Sequence, residues 1–265
     1  MSDSIPSPIK SAFVIGYITF LGCIRDRLLL VTLVFTAVLI AVSVAAGSVS
    51  LGARTRIITD TGLSAASAIG SLMAIALTIS SFSHEIRNRT AYTIVVRPIP
   101  RWTYILGKYL GLALTMSTII SLMYFATAGI ILIQGESLPI AFWASIWLNI
   151  VEILLVTSIA LFFSTMAVPV LAASYTGAII LAGNLSGDIL LFARRAADQG
   201  HENTFIFEMF YYIVPDLQHL SLRTQAANNL PVPTDFVLHG SLYAFAYTAM
   251  AVIGAMWLFS KRHTI

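Results

Sequence analysis

Long apolar segments, separated by short polar ones, constrain the fold of this chain more than any other feature. Six of them approach or exceed the roughly 20 residues that a helix needs to cross the hydrocarbon core of a bilayer. They cover residues 28–46, 64–82, 104–133, 141–163, 168–192 and 236–259. The chain is 58% hydrophobic and only 10% charged, whereas soluble domains carry about 25% charged residues. The sequence therefore predicts an all-α integral membrane protein, with six transmembrane helices in a single domain over residues 1–265.

Two further apolar runs are too short to cross a bilayer. Residues 9–24 precede an Arg-Asp-Arg sequence at 25–27, and we predict an N-terminal helix that lies at or dips into the cytosolic interface. A cytosolic extension of the first span is the alternative. Residues 205–214 are aromatic and apolar and belong to the longest non-spanning segment. They predict a re-entrant or interfacial segment on the outer face.

The distribution of positive charge predicts the orientation of the chain. Six spans place both termini on one side of the membrane, and lysine and arginine are enriched in cytosolic loops. Ten of these residues fall on the side of the termini and five on the other, which predicts that both termini are cytosolic. The ten are Lys10, Arg25, Arg27, Arg87, Arg89, Arg97, Arg101, Lys108, Lys261 and Arg262, and the five are Arg54, Arg56, Arg194, Arg195 and Arg223.

Residues 83–111, which we call the basic island, separate the second and third predicted spans. The island has five basic residues and one acidic residue, a net charge of +4, in a chain whose total is only +3. Pro98 and Pro100 end the helix that we predict to begin near His84, because the residue before a proline is driven out of helical geometry. The charges are explained either by anchoring at the membrane surface or by docking of a cytosolic partner, and we favour docking for the segment as a whole.

No enzymatic motif is present. The chain lacks GxxxxGK[ST], GxSxG and HExxH, and its single cysteine, Cys23, excludes an internal disulfide and a cysteine-based metal site. The basic residues lie between apolar segments, which fits membrane topology better than nucleic-acid binding. We therefore expect no catalysis, no metal and no cofactor on this chain. The histidines are scattered without metal-ligand spacing: His84, His201, His219, His239 and His263.

Glu152 lies near the middle of the fourth predicted span. A carboxyl group at that depth is costly and usually faces a cavity or a partner. One interpretation places Glu152 and Asn149 in a translocation path. The other makes Glu152 a protonated or hydrogen-bonded structural group, paired with Asn149 on the same helix face. The sequence leaves both interpretations open.

The basic island follows a recognisable order. A glutamate comes after the second span, a short predicted helix follows, and Pro98, Pro100, Arg101 and Lys108 lead into the third span. This order resembles the exporter-type ABC permeases of the second membrane-domain class, and the likeness in topology extends over the whole chain. Residues 212–217, with Leu222 and Arg223, look like the branch that includes permeases for copper-enzyme maturation, such as that of nitrous oxide reductase.

The resemblance implies a homodimeric permease in the bacterial cytoplasmic (inner) membrane, with each copy docking a separate ABC ATPase subunit. ATP and Mg²⁺ would then be bound by that partner. The resemblance also implies that a coupling helix over residues 85–96 enters a groove of the ATPase. The implied coupling residues are Glu85, Arg87, Arg89, Thr90, Arg97 and Arg101.

Three functions therefore compete at this point. The first is export of an unidentified substrate by alternating access. The second is a non-exporting subunit that transmits ATPase motion, or delivers cargo, to a periplasmic protein through the long outer segment. The third is an ion-coupled carrier, which ranks low because only Glu152 is clearly a mid-membrane charge.

Overall fold

The computed structural model describes residues 8–25, 54–87, 100–133, 135–187, 214–228 and 230–261, with isolated helical positions between 30 and 45. Within these ranges the chain is all-helical and contains no strand. The helices are α1 (Pro8–Ile24), α2 (Arg54–Arg87), α3 (Arg101–Ile133), α4 (Ile140–Met166), α5 (Pro169–Asn184), α6 (Arg223–Ala227) and α7 (Thr234–Lys261), with a 3-10 turn at Gln218–Leu220.

Four of the described helices, α2, α3, α4 and α7, are long and apolar enough to cross a membrane. The all-helical, membrane-type fold expected from the sequence is therefore present in the described part of the chain, where four helices, rather than the predicted six, are long and apolar enough to be spans. The first predicted span, 28–46, lies outside the described residues apart from a few positions. Helix α5 has 16 residues and α1 has 17, fewer than the roughly 20 that a span requires.

Short connections join α3 to α4 and α4 to α5, so these neighbouring helices run antiparallel. Gly135, at a φ of 80°, adopts the left-handed conformation in the turn between α3 and α4, which glycine accepts at no steric cost. Pro169 occupies the first turn of α5, where its missing N–H removes no helical hydrogen bond.

We call the end of the bundle where α2 ends and α3 begins the basic end. The other end, where α4 and α7 begin, is called the opposite end.

The core lies between α2, α3 and α4, and α7 covers α3 and α4 from one side. A Cβ on Gly70 of α2 would collide with Ile120 of α3 and lie 3.2 Å from Ile153 of α4. Small residues permit this close approach of helices in lipid. The second apolar segment is rich in Ser, Ala and Gly, which predicts that it packs inside the bundle. The structure agrees, because a larger share of the apolar stretch of α2 is buried than of the apolar stretch of α7.

Helix α1 packs along the first half of α3, and glycines form the contact. A Cβ on Gly107 would lie 2.6 Å from the carbonyl oxygen of Ala12, and one on Gly111 would collide with the carbonyl oxygen of Gly16. Gly107 and Gly111 form a GxxxG sequence, a spacing that is typical of close helix packing in membranes, and the helix that packs on it is α1. The other face of α1 exposes large apolar side chains such as Phe13.

Helix α2 begins earlier than the sequence predicted. Residues 47–63 were expected to form a polar loop, but the helix is already formed at Arg54. This prediction is wrong because Ile58, Thr59 and Leu63 are buried at helical spacing, while the charged residues Arg56 and Asp60 lie on the exposed face of one continuous helix. The side chain of Thr59 also donates a 2.8 Å hydrogen bond to the carbonyl oxygen of Thr55 within this extension.

Helix α5 ends earlier than the sequence predicted. The continuous span over 168–192 is interrupted after Asn184 by a turn at Leu185, and residues 188–192 lie outside the described part of the chain. The interruption coincides with a close contact, because a Cβ on Gly183 would lie 2.5 Å from the carbonyl oxygen of Pro215. By contrast, α3, α4 and α7 begin and end within three residues of the predicted segments.

Candidate functional site

The basic end contains the described part of the predicted coupling segment. Glu85 and Arg87 lie in the last turn of α2, so the prediction of a separate helix beginning near His84 is wrong at that point. The apolar stretch of α2 simply continues into these polar residues without a helix-breaking residue. Arg101 is the exposed first residue of α3. The remaining predicted coupling residues lie outside the described residues: Arg89, Thr90 and Arg97.

Lys108 joins the two helices that flank the basic island. Its side chain is fully buried, and its ammonium Nζ donates a hydrogen bond of 3.3 Å to the carbonyl oxygen of Ser81 on α2. A buried ammonium group is costly unless it is hydrogen-bonded. The contact therefore holds the end of α2 against the beginning of α3.

An aromatic cluster extends this connection to α7. Phe259 of α7 lies 5.5 Å from the ring of Tyr104 on α3 and 6.4 Å from the ring of Phe82 on α2, measured between ring centroids. Leu161 of α4 is buried in the same cluster. Aromatic pairs at these separations contribute about 0.5–1.5 kcal/mol beyond the burial of their surface. Four helices are therefore packed together next to the basic island.

A second polar site lies in the middle of the bundle. Glu152 is about 18 Å along α4 from Ile140, given the helical rise per residue, and it is 1% exposed. Asn149, one turn earlier, donates from Nδ2 to Glu152 Oε2 at 3.0 Å. Ser67 of α2 donates from Oγ to Oε1 at 3.4 Å. The pairing of Glu152 with Asn149 is as the sequence suggested, whereas Ser67 had no signal in the sequence beyond the small-residue character of its helix.

The surroundings of Glu152 remain polar on the side of α3. Tyr124 Oη and Ser145 Oγ are 3.4 Å apart and both are buried. Asn149 Oδ1 is buried and has no hydrogen-bond partner among the described residues. Buried polar atoms are normally paired, so this oxygen is available to a donor from a ligand or from water. The geometry is compatible with both interpretations of Glu152, structural and translocation-related.

Residues 214–228, which we call the outer segment, fold back against the bundle at the opposite end. Leu217, Leu220 and Leu222 are each at most 2% exposed and belong to the main core. Helix α6 contacts α2 and α4. The predicted re-entrant run 205–214 lies outside the described residues except for Val214, which is buried. The sequence identified this region as unusual but did not predict that its later part packs into the core.

An apolar cavity of about 910 Å³ lies near the basic end, between α2 and the connection from α4 to α5. Its walls are mainly aliphatic, and Ser80, Ser83 and Ser164 supply its polar groups. A cavity of this size matches those that hold small apolar ligands. No local pattern in the sequence indicates this cavity, because its walls come from three helices.

Comparison with protein-family models and with curated proteins finds no match for this chain.

Proposed function

We propose that this chain is the membrane-spanning permease subunit of an ABC transporter, and that it couples ATP hydrolysis on a separate subunit to export by alternating access. The observation that carries the proposal is the buried contact between Lys108 and the Ser81 carbonyl oxygen. This contact joins the two helices on either side of the basic island. A force applied to the island by a cytosolic partner would therefore move α2 and α3 together.

The aromatic cluster supports the same mechanism. Because Phe259 packs on both Phe82 and Tyr104, displacement of the island would also be transmitted to α7. ATP and Mg²⁺ belong to the partner subunit in this proposal, and the contribution of this chain is mechanical. Nucleotide-driven closure of two ATPase subunits would bias two copies of the permease between two arrangements of their helices.

Glu152 and Asn149 form the candidate polar site of the translocation path. They lie at mid-depth in α4, and the unpartnered Oδ1 of Asn149 supplies an acceptor there. The apolar cavity near the basic end lies closer to the proposed cytosolic side. A substrate with an apolar body and a hydrogen-bond donor could bind at the apolar cavity and at the Glu152–Asn149 site in succession.

Purification from native membranes, followed by reconstitution, tests the proposal. We expect a subunit with a phosphate-binding GxxxxGK[ST] loop to copurify and to hydrolyse ATP faster in the presence of this chain. Charge reversal at Glu85 or Arg89 should reduce that stimulation by about tenfold, the effect of losing roughly 1.4 kcal/mol of coupling. Arg56→Glu is the matched control, because Arg56 is exposed near the other end of α2. Unchanged stimulation in both island variants, with normal membrane insertion, would count against the proposal.

A second candidate function is transmission of ATPase motion, or delivery of cargo, to a periplasmic protein. The observation in its favour is the burial of Leu217 and Leu220 in the main core, because it connects the outer segment to the helices that the ATPase would move. Substrate flux in liposomes without any outer partner would favour export. Copurification of a defined periplasmic protein, lost on replacement of the surface residues of the outer segment, would favour the second function.

A further inference from the structure

Two histidines from different elements line one cavity of about 490 Å³ at the opposite end of the bundle. His219 belongs to the 3-10 turn of the outer segment, and His239 lies in the second turn of α7. The sequence offered no metal-ligand spacing for either residue. The outer segment brings them together by folding back over the beginning of α7.

The two imidazole rings are held in the same way. His219 Nδ1 lies 2.6 Å from Asp216 Oδ2, and His239 Nδ1 lies 2.7 Å from the carbonyl oxygen of Asp235. A carboxylate and a carbonyl oxygen both accept hydrogen bonds, so each neutral ring carries its proton on Nδ1. The lone pair of each ring is then on Nε2. This arrangement orients histidines that ligate metal ions through Nε2.

The carboxylate that holds His219 is itself fixed in position. Asp216 is 9% exposed, and its Oδ1 accepts hydrogen bonds from Ser186 Oγ at 2.8 Å and from the backbone N–H of His219 at 3.2 Å. The backbone N–H of Asp216 donates to the hydroxyl oxygen of Tyr243 at 2.9 Å. The orientation of the His219 ring is therefore set by contacts from α7 and from the end of α5. An incidental surface histidine would not need so many contacts to fix the orientation of its ring.

Phe236 connects the positions of the two rings in the cavity wall. The His219 ring stacks on Phe236, with centroids 6.4 Å apart and planes at 26°. Phe236 and His239 are three residues apart on one face of α7, so their side chains are adjacent. The hydrogen bond from His239 to the Asp235 carbonyl oxygen draws its ring back toward the turn that holds Phe236. Both imidazoles therefore face the cavity at the level of the first turns of α7.

We infer that His219 and His239 bind a divalent transition-metal ion through their Nε2 atoms, and that Asp216 acts as a positioning residue. Imidazole nitrogen suits Zn²⁺, Cu²⁺ and Ni²⁺. Among the described residues no group of three or more metal-ligating side chains is placed to hold a metal. The ion therefore has two ligands from this pair, and water or a partner completes its coordination. His219 has a side chain that is 67% exposed, so the ion can exchange with solution. The inference does not depend on the proposed transport function.

Zn²⁺ titration of the purified chain tests the inference. The chain is carried on a tag without histidine, treated with a chelator in detergent, and titrated in competition with a chromophoric zinc chelator. We expect one Zn²⁺ per chain, and X-ray absorption should detect imidazole ligands. His219→Ala and His239→Ala should each abolish this binding. Asp216→Asn should retain it but weaken the affinity by about 10-fold or more, as is typical when an outer-shell partner of a metal ligand is changed.

Matched variants make the result decisive. His84→Ala, at the basic end of α2, should bind Zn²⁺ with the affinity of the unmodified chain. The melting temperature of every variant is measured without metal, and Zn²⁺ should raise it only where both histidines are present. Undiminished binding in the variant that lacks both histidines would overturn the inference. Retention of full affinity by either single variant would overturn it as well, because a two-histidine site requires both rings.

Discussion

The contact between α1 and α3 yields a sharp prediction for Gly107→Ala. The added Cβ would lie 2.6 Å from the carbonyl oxygen of Ala12 and 2.8 Å from Cβ of Ile15. Ordinary carbon–oxygen contacts are about 3.3–3.6 Å. Helix α1 would therefore have to move away from α3 by about 0.7–1 Å, if the contact distance is to be restored. A backbone oxygen cannot rotate out of the way, so the whole helix shifts.

The cost of this shift can be separated from the effect of alanine on helix stability. Overpacking of a tight contact costs about 1–3 kcal/mol, while Gly→Ala in a helix gains about 1 kcal/mol. Gly129→Ala on the same helix is the matched control, because among the described residues no atom outside its own helical turn lies within 4 Å of the added Cβ. The helical gain is common to both variants. The α1–α3 contact should therefore be about 1–3 kcal/mol weaker in Gly107→Ala than in Gly129→Ala.

Cys23 provides the assay. It is the chain's single cysteine, lies at the end of α1 and is 4% exposed. A maleimide therefore reacts mainly when α1 leaves its position. A change of 1–3 kcal/mol in that opening equilibrium corresponds to labelling about 5- to 140-fold faster. Gly107→Ala should show this increase, and Gly129→Ala should not. Equal labelling rates in the two variants would refute the assigned packing of α1 on α3.

Three further predictions follow from buried contacts. Asn149→Ala removes the donor to the Glu152 carboxyl group and should lower the free energy of unfolding by about 1–3 kcal/mol, measured as thermal stability in detergent. Lys108→Met should lower the free energy of unfolding by about 1–3 kcal/mol, because it removes the donor to the Ser81 carbonyl oxygen, whereas Lys108→Ala should cost roughly 2–5 kcal/mol because it also leaves a cavity; equal losses in both would contradict this account. Gly183→Ala should release the outer segment and speed its limited proteolysis, while Gly177→Ala on the same helix, whose Cβ would meet no atom of the described part of the chain within 4 Å, should not.

The positions of the long helices follow closely from the sequence. The apolar segments that became α3, α4 and α7 are bounded within three residues, because the length and composition of an apolar run are properties of the local chain. The same reasoning failed where polar residues continue a helix. Arg54 and the residues after it looked like a loop, yet burial of Ile58 and Leu63 keeps them helical.

The pairing of Glu152 with Asn149 was one of the two interpretations that the sequence left open, since both lie on one helix and their spacing alone brings them to one face. The sequence-based account of Ser83 to Gly111 was partly right: the charge and the prolines are local facts, but α2 continues through Arg87, where a separate helix was expected to have begun. Lys108 was recognised as part of a motif. Its burial against the Ser81 carbonyl oxygen required the position of a second helix.

The sequence by itself therefore determined the character of the segments in the bundle. They are helical and apolar, and positive charge lies between two of the long ones. The tertiary structure alone decided which residues meet. The contact of Ser67 with Glu152 and the shared cavity of His219 and His239 join residues far apart in the chain. Such contacts depend on the rotation and relative depth of whole helices. Those quantities are set by the combined packing of many side chains, so no local pattern in the sequence specifies them.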